Sequence, residues 1–169
     1  IPYYRSAERT FQLITQVAGR AGRGLKKGEV IIQTYNPESL AITAASKYDY
    51  EVFFAEEIGF RKLMKYPPFS DLIQVQFIGE NESEAEKLAL ECKDYLSKKE
   101  IDKSENEIFG PKGSHQISKE KDVFRYSILI KASKGSRNKY IYYISKYGEY
   151  VTSKTKLSFV IDVNPYSGF

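Results

Sequence analysis

The chain has 169 residues, 41% of them hydrophobic and 28% charged, with a net charge of +4, one cysteine (Cys92) and one histidine (His115). That composition is globular, excludes a disulfide framework and argues against an intrachain zinc site. No apolar run approaches the ~18 residues of a spanning helix and no signal peptide opens the chain, so no membrane partner is expected; the single cysteine, at a helical core spacing, fits a cytoplasmic setting. The start at Ile1 suggests an excised piece of a longer protein, expected to be a monomer.

The first element is read as a helix from Ser6 to about Ala21. Ser6 is placed to cap it, Glu8 suits the positive end of the dipole, and Ala7, Phe11, Ile14 and Val17/Ala18 recur on one stripe. Gly22-Arg23-Gly24 ends it. Gly28 to Thr34 reads as a buried strand stopped by Asn36-Pro37. Helices are expected over Glu38–Lys47 and Tyr50–Lys65, the second capped by Asp49. Tyr66-Pro67-Pro68-Phe69 then breaks helix, because neither proline donates an N–H and each restricts its predecessor.

The remainder reads β-α-β-β-α-β. Leu72–Ile78 is a strand, and Asn81 with Glu84 opens a helix whose apolar face is Ala85, Leu88/Ala89, Cys92 and Tyr95/Leu96. Glu107 to Gln116–Lys119 forms a strand region in which His115 is expected as an exposed loop residue. Phe124–Ala132 alternates, except that Leu129 breaks the pattern and implies burial on both faces. Ser136–Tyr150 is a helix and Leu157–Val163 the last strand. The order predicts a small ferredoxin-like α+β sandwich over residues 70–169, preceded by a lobe fragment (1–47) and a helical linker (48–69). Residues 70–107 hold 5 Lys/Arg against 11 Asp/Glu, and residues 108–169 hold 11 against 4, the sort of concentrated basic segment that binds nucleic acid.

The chemistry concentrates in Gln16-Val17-Ala18-Gly19-Arg20-Ala21-Gly22-Arg23. Arg20 and Arg23 lie one turn apart at a helix end, and Gln16 precedes Arg20 by four on the same face. Gly19 and Gly22 remove side chains where a second surface has to approach. Planar guanidinium groups suit the spread charge of a transferring phosphoryl group.

This motif resembles motif VI of superfamily 2 helicases, which closes the second RecA-like lobe over ATP bound by the first. Glu8-Arg9-Thr10-Phe11-Gln12-Leu13, Gly28 to Pro37, Tyr66-Pro67-Pro68-Phe69, Gly110-Pro111, Arg125-Tyr126 and Asp162-Val163-Asn164-Pro165 narrow the resemblance to the primosomal protein N′ family of replication-restart helicases. The resemblance implies the end of a RecA-like lobe ahead of the small domain, and an ATP-dependent 3′→5′ DNA helicase acting at stalled forks. Arg20 and Arg23 would then reach the γ-phosphate, Arg23 as the finger, with Gln16 coupling nucleotide to DNA. ATP and Mg²⁺ would be held mainly by the missing lobe and zinc elsewhere in the parent protein, leaving the fragment inactive alone. Partners implied are forked and single-stranded DNA, single-stranded-DNA-binding protein and primosome loader proteins. Lys112-Gly113-Ser114-His115 departs from the family pattern after Gly110-Pro111.

Lys112, Lys119, Lys121, Arg125 and Lys131, with Phe124 and Tyr126 beside Arg125, are the candidate DNA surface, cations for phosphates and rings for base stacking. The tyrosines from Tyr140 to Tyr150 read as packing. Arg137, by the resemblance, is a partner-binding position, although the place one turn on is Ile141 instead of a polar residue. Another superfamily 2 motor, or a stand-alone nucleic-acid-binding module, would share some of these features.

Overall fold

A computed structural model describes residues 3–21, 28–117 and 122–166. The chain divides into two compact units, Pro2–Met64 and Lys65–Phe169.

The first unit holds α1 (Ser6–Ala21), α2 (Leu40–Ser46) and α3 (Tyr50–Leu63). Asp49 caps α3 as its position suggests, Oδ1 accepting from the Val52 N–H at 3.0 Å. The core is small. Phe11 stacks on Phe53 at 4.5 Å, and the remaining buried members are Ala41, Ala44 and Ala45 of α2, with Ala7 and Ile14 packed against them. Val17, expected on the buried stripe, is 53% exposed. The two-unit division groups α3 with α1 and α2, where the sequence suggested a separate linker over 48–69.

One expectation is corrected here. Gly28–Thr34 is neither strand nor buried: its backbone lies outside regular structure and every residue in it is exposed. An extended segment becomes a strand only when a neighbour takes its N–H and C=O groups, and the described residues of this unit are otherwise helices and turns.

The second unit is a four-stranded antiparallel sheet with two helices. It runs β1 (Ser70–Gly79), α4 (Glu82–Ser97), β2 (Glu107–Ile117), β3 (Asp122–Ser133), α5 (Arg137–Lys154) and β4 (Ser158–Val163), in sheet order β2-β3-β1-β4. That is the element order and strand order expected of the ferredoxin-like arrangement, with each crossover helix joining strands that flank a third. Asn81 caps α4, its Oδ1 accepting from Glu84 N–H at 3.1 Å. Ala85, Leu88, Ala89, Cys92 and Leu96 bury the expected face.

Side-chain alternation assigns the faces. Ile73, Val75 and Phe77 of β1 and Ile128, Ile130 and Ala132 of β3 join the cluster formed with α4 and α5, all at 0% exposure except where helix residues meet solvent. Each such buried aliphatic or aromatic side chain contributes about 1.5–3 kcal/mol. Leu72, Gln74, Ser127, Leu129 and Lys131, on the opposite face, are buried as well. The broken alternation at Leu129 therefore reports a strand covered on both sides.

His115 is a strand residue of β2, correcting the loop expectation. Its ring stacks on Phe124 of β3 at 4.7 Å and 10°, with Nε2 3.3 Å from Asp122 Oδ1. The departure at Lys112-Gly113-Ser114-His115 is thus accommodated within the ladder, after a register shift between Phe109 and Lys112 where Gly110 takes φ 92 and Pro111 has no N–H to give. Gly113 lets the Tyr126 ring cross β2, since a Cβ there would come within 2.8 Å of it.

Asp71 fastens the ends of three elements. Its carboxylate is 3% exposed, with Lys134 Nζ 3.0 Å and Asn164 Nδ2 2.9 Å from Oδ1, and Arg137 Nε 3.9 Å from Oδ2. Asn164 also accepts from and donates to Leu72 backbone groups, tying the end of β4 to the start of β1. Burial alone would raise the Asp71 pKa. The hydrogen bonds from Asn164 and Lys134 and the charges of Lys134 and Arg137 outweigh it and hold the group below its ordinary 3.8. A carboxyl with a depressed folded pKa adds stability above the ordinary value and loses it as pH falls through the folded one. We predict that Asp71→Ala lowers stability at neutral pH by about 1–3 kcal/mol. In denaturant melts the gap to the wild type should narrow below pH 3.8, where the unfolded carboxyl is already protonated.

Candidate functional site

The motif residues that are described sit on the outside of α1. Gln16, Gly19 and Arg20 are all exposed, and a Cβ built at Gly19 would meet no atom within 4 Å. Arg20 is in the last turn, where its charge also suits the negative end of the helix. Gly22 and Arg23 lie outside the described residues. Glu8, Gln12, Gln16 and Arg20 succeed one another at four-residue steps, a row winding slowly around the helix over about 18 Å.

The near end of that row is anchored. Arg61 of α3, 12% exposed, donates from Nη2 to Glu8 Oε2 at 2.9 Å and from Nε to Glu57 Oε1 at 2.8 Å. Gln12 Nε2 holds the other oxygen of Glu8 at 3.2 Å. Burial works against the Arg61 charge, but the hydrogen bonds and charges of Glu57 and Glu8 outweigh it and raise its pKa. The Arg61 guanidinium also lies over the Tyr4 ring at 5.3 Å. Nothing local to Glu8 or Arg61 in the sequence marks them as partners. Their 53-residue separation leaves no local signal.

Among the described residues, those expected to contact DNA are divided between the two faces of the sheet. Alternation along β3 sends Phe124 and Tyr126 to the helix side and Arg125 to the other. Tyr126 is partly buried, packs against the core cluster and donates to Glu82 Oε1 at 3.2 Å. Phe124 stacks on His115. Lys131 is the least exposed of the candidate cations that are described. It is 7% exposed, with Nζ 4.7 Å from the Tyr66 ring centre and 5.7 Å from that of Phe109. An ammonium group enclosed by two rings is withdrawn from phosphate.

Lys112 and Arg125 remain on the sheet face away from the helices. Lys112 of the edge strand β2 is exposed and pairs across from Ser127, while Arg125 of the inner strand β3 pairs across from Ser114. Arg125 is half-buried, and its Nε is buried without a hydrogen-bond partner among the described residues. Lys119 and Lys121 lie outside the described residues.

Arg137 opens α5 with its side chain 45% exposed and leans toward Asp71. Ile141, one turn on, packs against the core cluster. Asp71, Lys134 and Asn164 were not anticipated as a group, because they meet only when three chain ends converge. Among the described residues no group of three or more His, Cys, Asp or Glu could hold a metal ion, and no helix is long and apolar enough to cross a membrane.

A family model described as the primosomal protein N C-terminal domain matches residues 62–166, more than half of the chain. The chain belongs to the PriA family. It is similar to the replication restart protein PriA of Chlamydia pneumoniae, 38% identical over 175 aligned residues that cover 100% of this chain and 22% of that protein. The PriA proteins of Bacillus subtilis (37% identical, 98% of this chain, 20% of that protein) and a Synechocystis strain (42% identical, 76% and 15%) are similar too. The chain therefore spans about a fifth of the length of these PriA relatives and carries the C-terminal region of the family.

Cys92 is no part of a site. It is 0% exposed beneath α4, and burial pushes its thiol up to about 12. We expect the folded chain to resist iodoacetamide at about pH 8, near the ordinary thiol range, and to react only once denatured. Alkylation of the folded chain at the denatured rate would contradict that burial.

Proposed function

We propose that this chain is the C-terminal part of an ATP-dependent 3′→5′ DNA helicase of replication restart. Its α1 carries arginines to a nucleotide held by another lobe, and its sheet unit contacts branched or single-stranded DNA. The observation that carries this reading is the exposed Gln16–Gly19–Arg20 row on α1, clear of the unit's own core.

The α1–α3 unit is read as the end of a RecA-like lobe. Support comes from its exposed apolar side chains, with Ile31 at 87% and Leu63 at 80%, and from the Gly28–Thr34 segment, which has strand composition and no ladder. Such surface belongs against more protein. The row fits a nucleotide-facing role because it offers one charge, one amide and an open glycine, and supplies no acidic group for Mg²⁺. ATP, when bound by the other lobe, supplies the reactive phosphoanhydride. Arg20 and Arg23 neutralise charge that grows on the phosphoryl oxygens during transfer, and Gln16 and the close approach at Gly19 and Gly22 orient α1 toward it. Zinc and the main Mg²⁺ ligands belong to the rest of the protein.

In the sheet unit, Lys112 and Arg125 contact phosphate, joined by Lys119 and Lys121, which lie between β2 and β3 in the sequence. Single-stranded-DNA-binding protein and primosome loaders are the protein partners, with Arg137 the contact for the first.

In the full-length protein, Arg23→Ala should abolish ATP hydrolysis and leave DNA affinity nearly unchanged. Normal turnover in that variant would remove the finger assignment. For the isolated chain, anisotropy titration with a labelled single strand should show weak, sequence-independent binding that weakens with salt. Lys112→Ala and Arg125→Ala should each flatten the log–log salt slope by about 0.7, the share of one phosphate on a single strand. Lys131→Ala should leave the slope as it is. Absence of binding at low salt would defeat the basic-face reading.

A further inference from the structure

We infer that Arg61 is a positioning residue for α1, setting the rotation of that helix so that the Gln16–Arg20 row faces the nucleotide; the inference rests on the nucleotide-facing reading above.

The packing leaves that rotation loosely defined. The residues that α2 buries in the core are three alanines, Ala41, Ala44 and Ala45, with Leu40 partly buried beside them, and methyl groups interlock less than larger side chains do. The largest fully buried side chains of this cluster are Phe11 and Phe53, with Ile14 and Leu40 partly buried against it, and two rings stacked at 4.5 Å and 13° resist sliding in their own plane less than a directed hydrogen bond does. A hydrogen-bonded ion pair has no such freedom.

Arg61 uses divergent nitrogens, Nε to Glu57 on its own helix and Nη2 to Glu8 on α1. The bond along α3 fixes the guanidinium plane, and the bond across to α1 then fixes where Glu8 must lie. A lysine has one point charge and cannot define both directions. Gln12 continues the restraint one turn further by holding the second oxygen of Glu8. The next two turns of the row carry Gln16 and Arg20. Charged pairs of this kind contribute register more than stability.

The test uses full-length protein with saturating DNA. Arg61→Gln should lower kcat for ATP hydrolysis about ten- to a hundredfold, the scale of misplacing a reacting group by an ångström, with the KM for ATP little changed. Arg61→Lys should recover part of that loss. In a Gln16→Ala background Arg61→Gln should cause little further loss, because both act through the same helix face. An unchanged kcat in folded Arg61→Gln, or losses that multiply independently with Gln16→Ala, would overturn the inference. Should Arg61→Gln fail to fold, Glu8→Gln keeps an acceptor oxygen and the packing while removing the charge. A reduced kcat there supports the positioning role and an unchanged one refutes it. The two levels separate cleanly. Normal turnover in Arg23→Ala sinks the nucleotide-facing reading itself, whereas an inactive Arg23→Ala beside a normal Arg61→Gln sinks only the positioning role.

Discussion

The backbone groups of an extended segment need partners on either side unless water takes them, and this requirement separates the two units more sharply than any side chain does. In the sheet unit β1 lies between β3 and β4 and β3 between β2 and β1, so both central strands are satisfied on both edges. In the helical unit Gly28–Thr34 has strand composition and no ladder at all. Composition records what a segment can become. The ladder depends on which other segments are at hand.

The same contrast explains what could be read from residues alone. Helix α1, the Asp49 and Asn81 caps, the apolar face of α4 and the βαββαβ order of elements follow from signals local to each element, and each is present in the fold. The alternation of β3 was also visible, including the break at Leu129. Its consequence for the candidate DNA surface follows from the same alternation. Arg125 stands between Phe124 and Tyr126 in the chain, and a period of two forces neighbours onto opposite faces. A patch assembled from consecutive residues of a strand is split by the pleat.

Lys131 and Arg61 show where local reading stops. Lys131 lies some 20 Å along the strand from Arg125 and is enclosed by Tyr66, a residue 65 positions earlier, and by Phe109 of the neighbouring strand. Arg61 on α3 looks like an ordinary helical i,i+4 partner of Glu57 until Glu8 arrives from α1. Asp71 likewise gains its meaning from Lys134 and Asn164. A charged residue's environment is a property of the assembled fold, and these two cations and one acid carry little sign of it in their own neighbourhoods.

Asp71 and Arg61 also differ in what their burial achieves. Asp71 sits at the edge of a large apolar cluster that already defines the sheet unit, so its hydrogen bonds secure chain ends whose place is set by packing. Arg61 belongs with a much smaller core, whose buried members are two phenylalanines and three alanines and which constrains a helix rotation less than the sheet unit's core does. Where packing is specific, a buried charge has only to be tolerated and satisfied. Where the core is small, direction-dependent bonds carry more of the register, and Arg61 in the helical unit is in that second position. The surface that would need such register is the one the motif occupies.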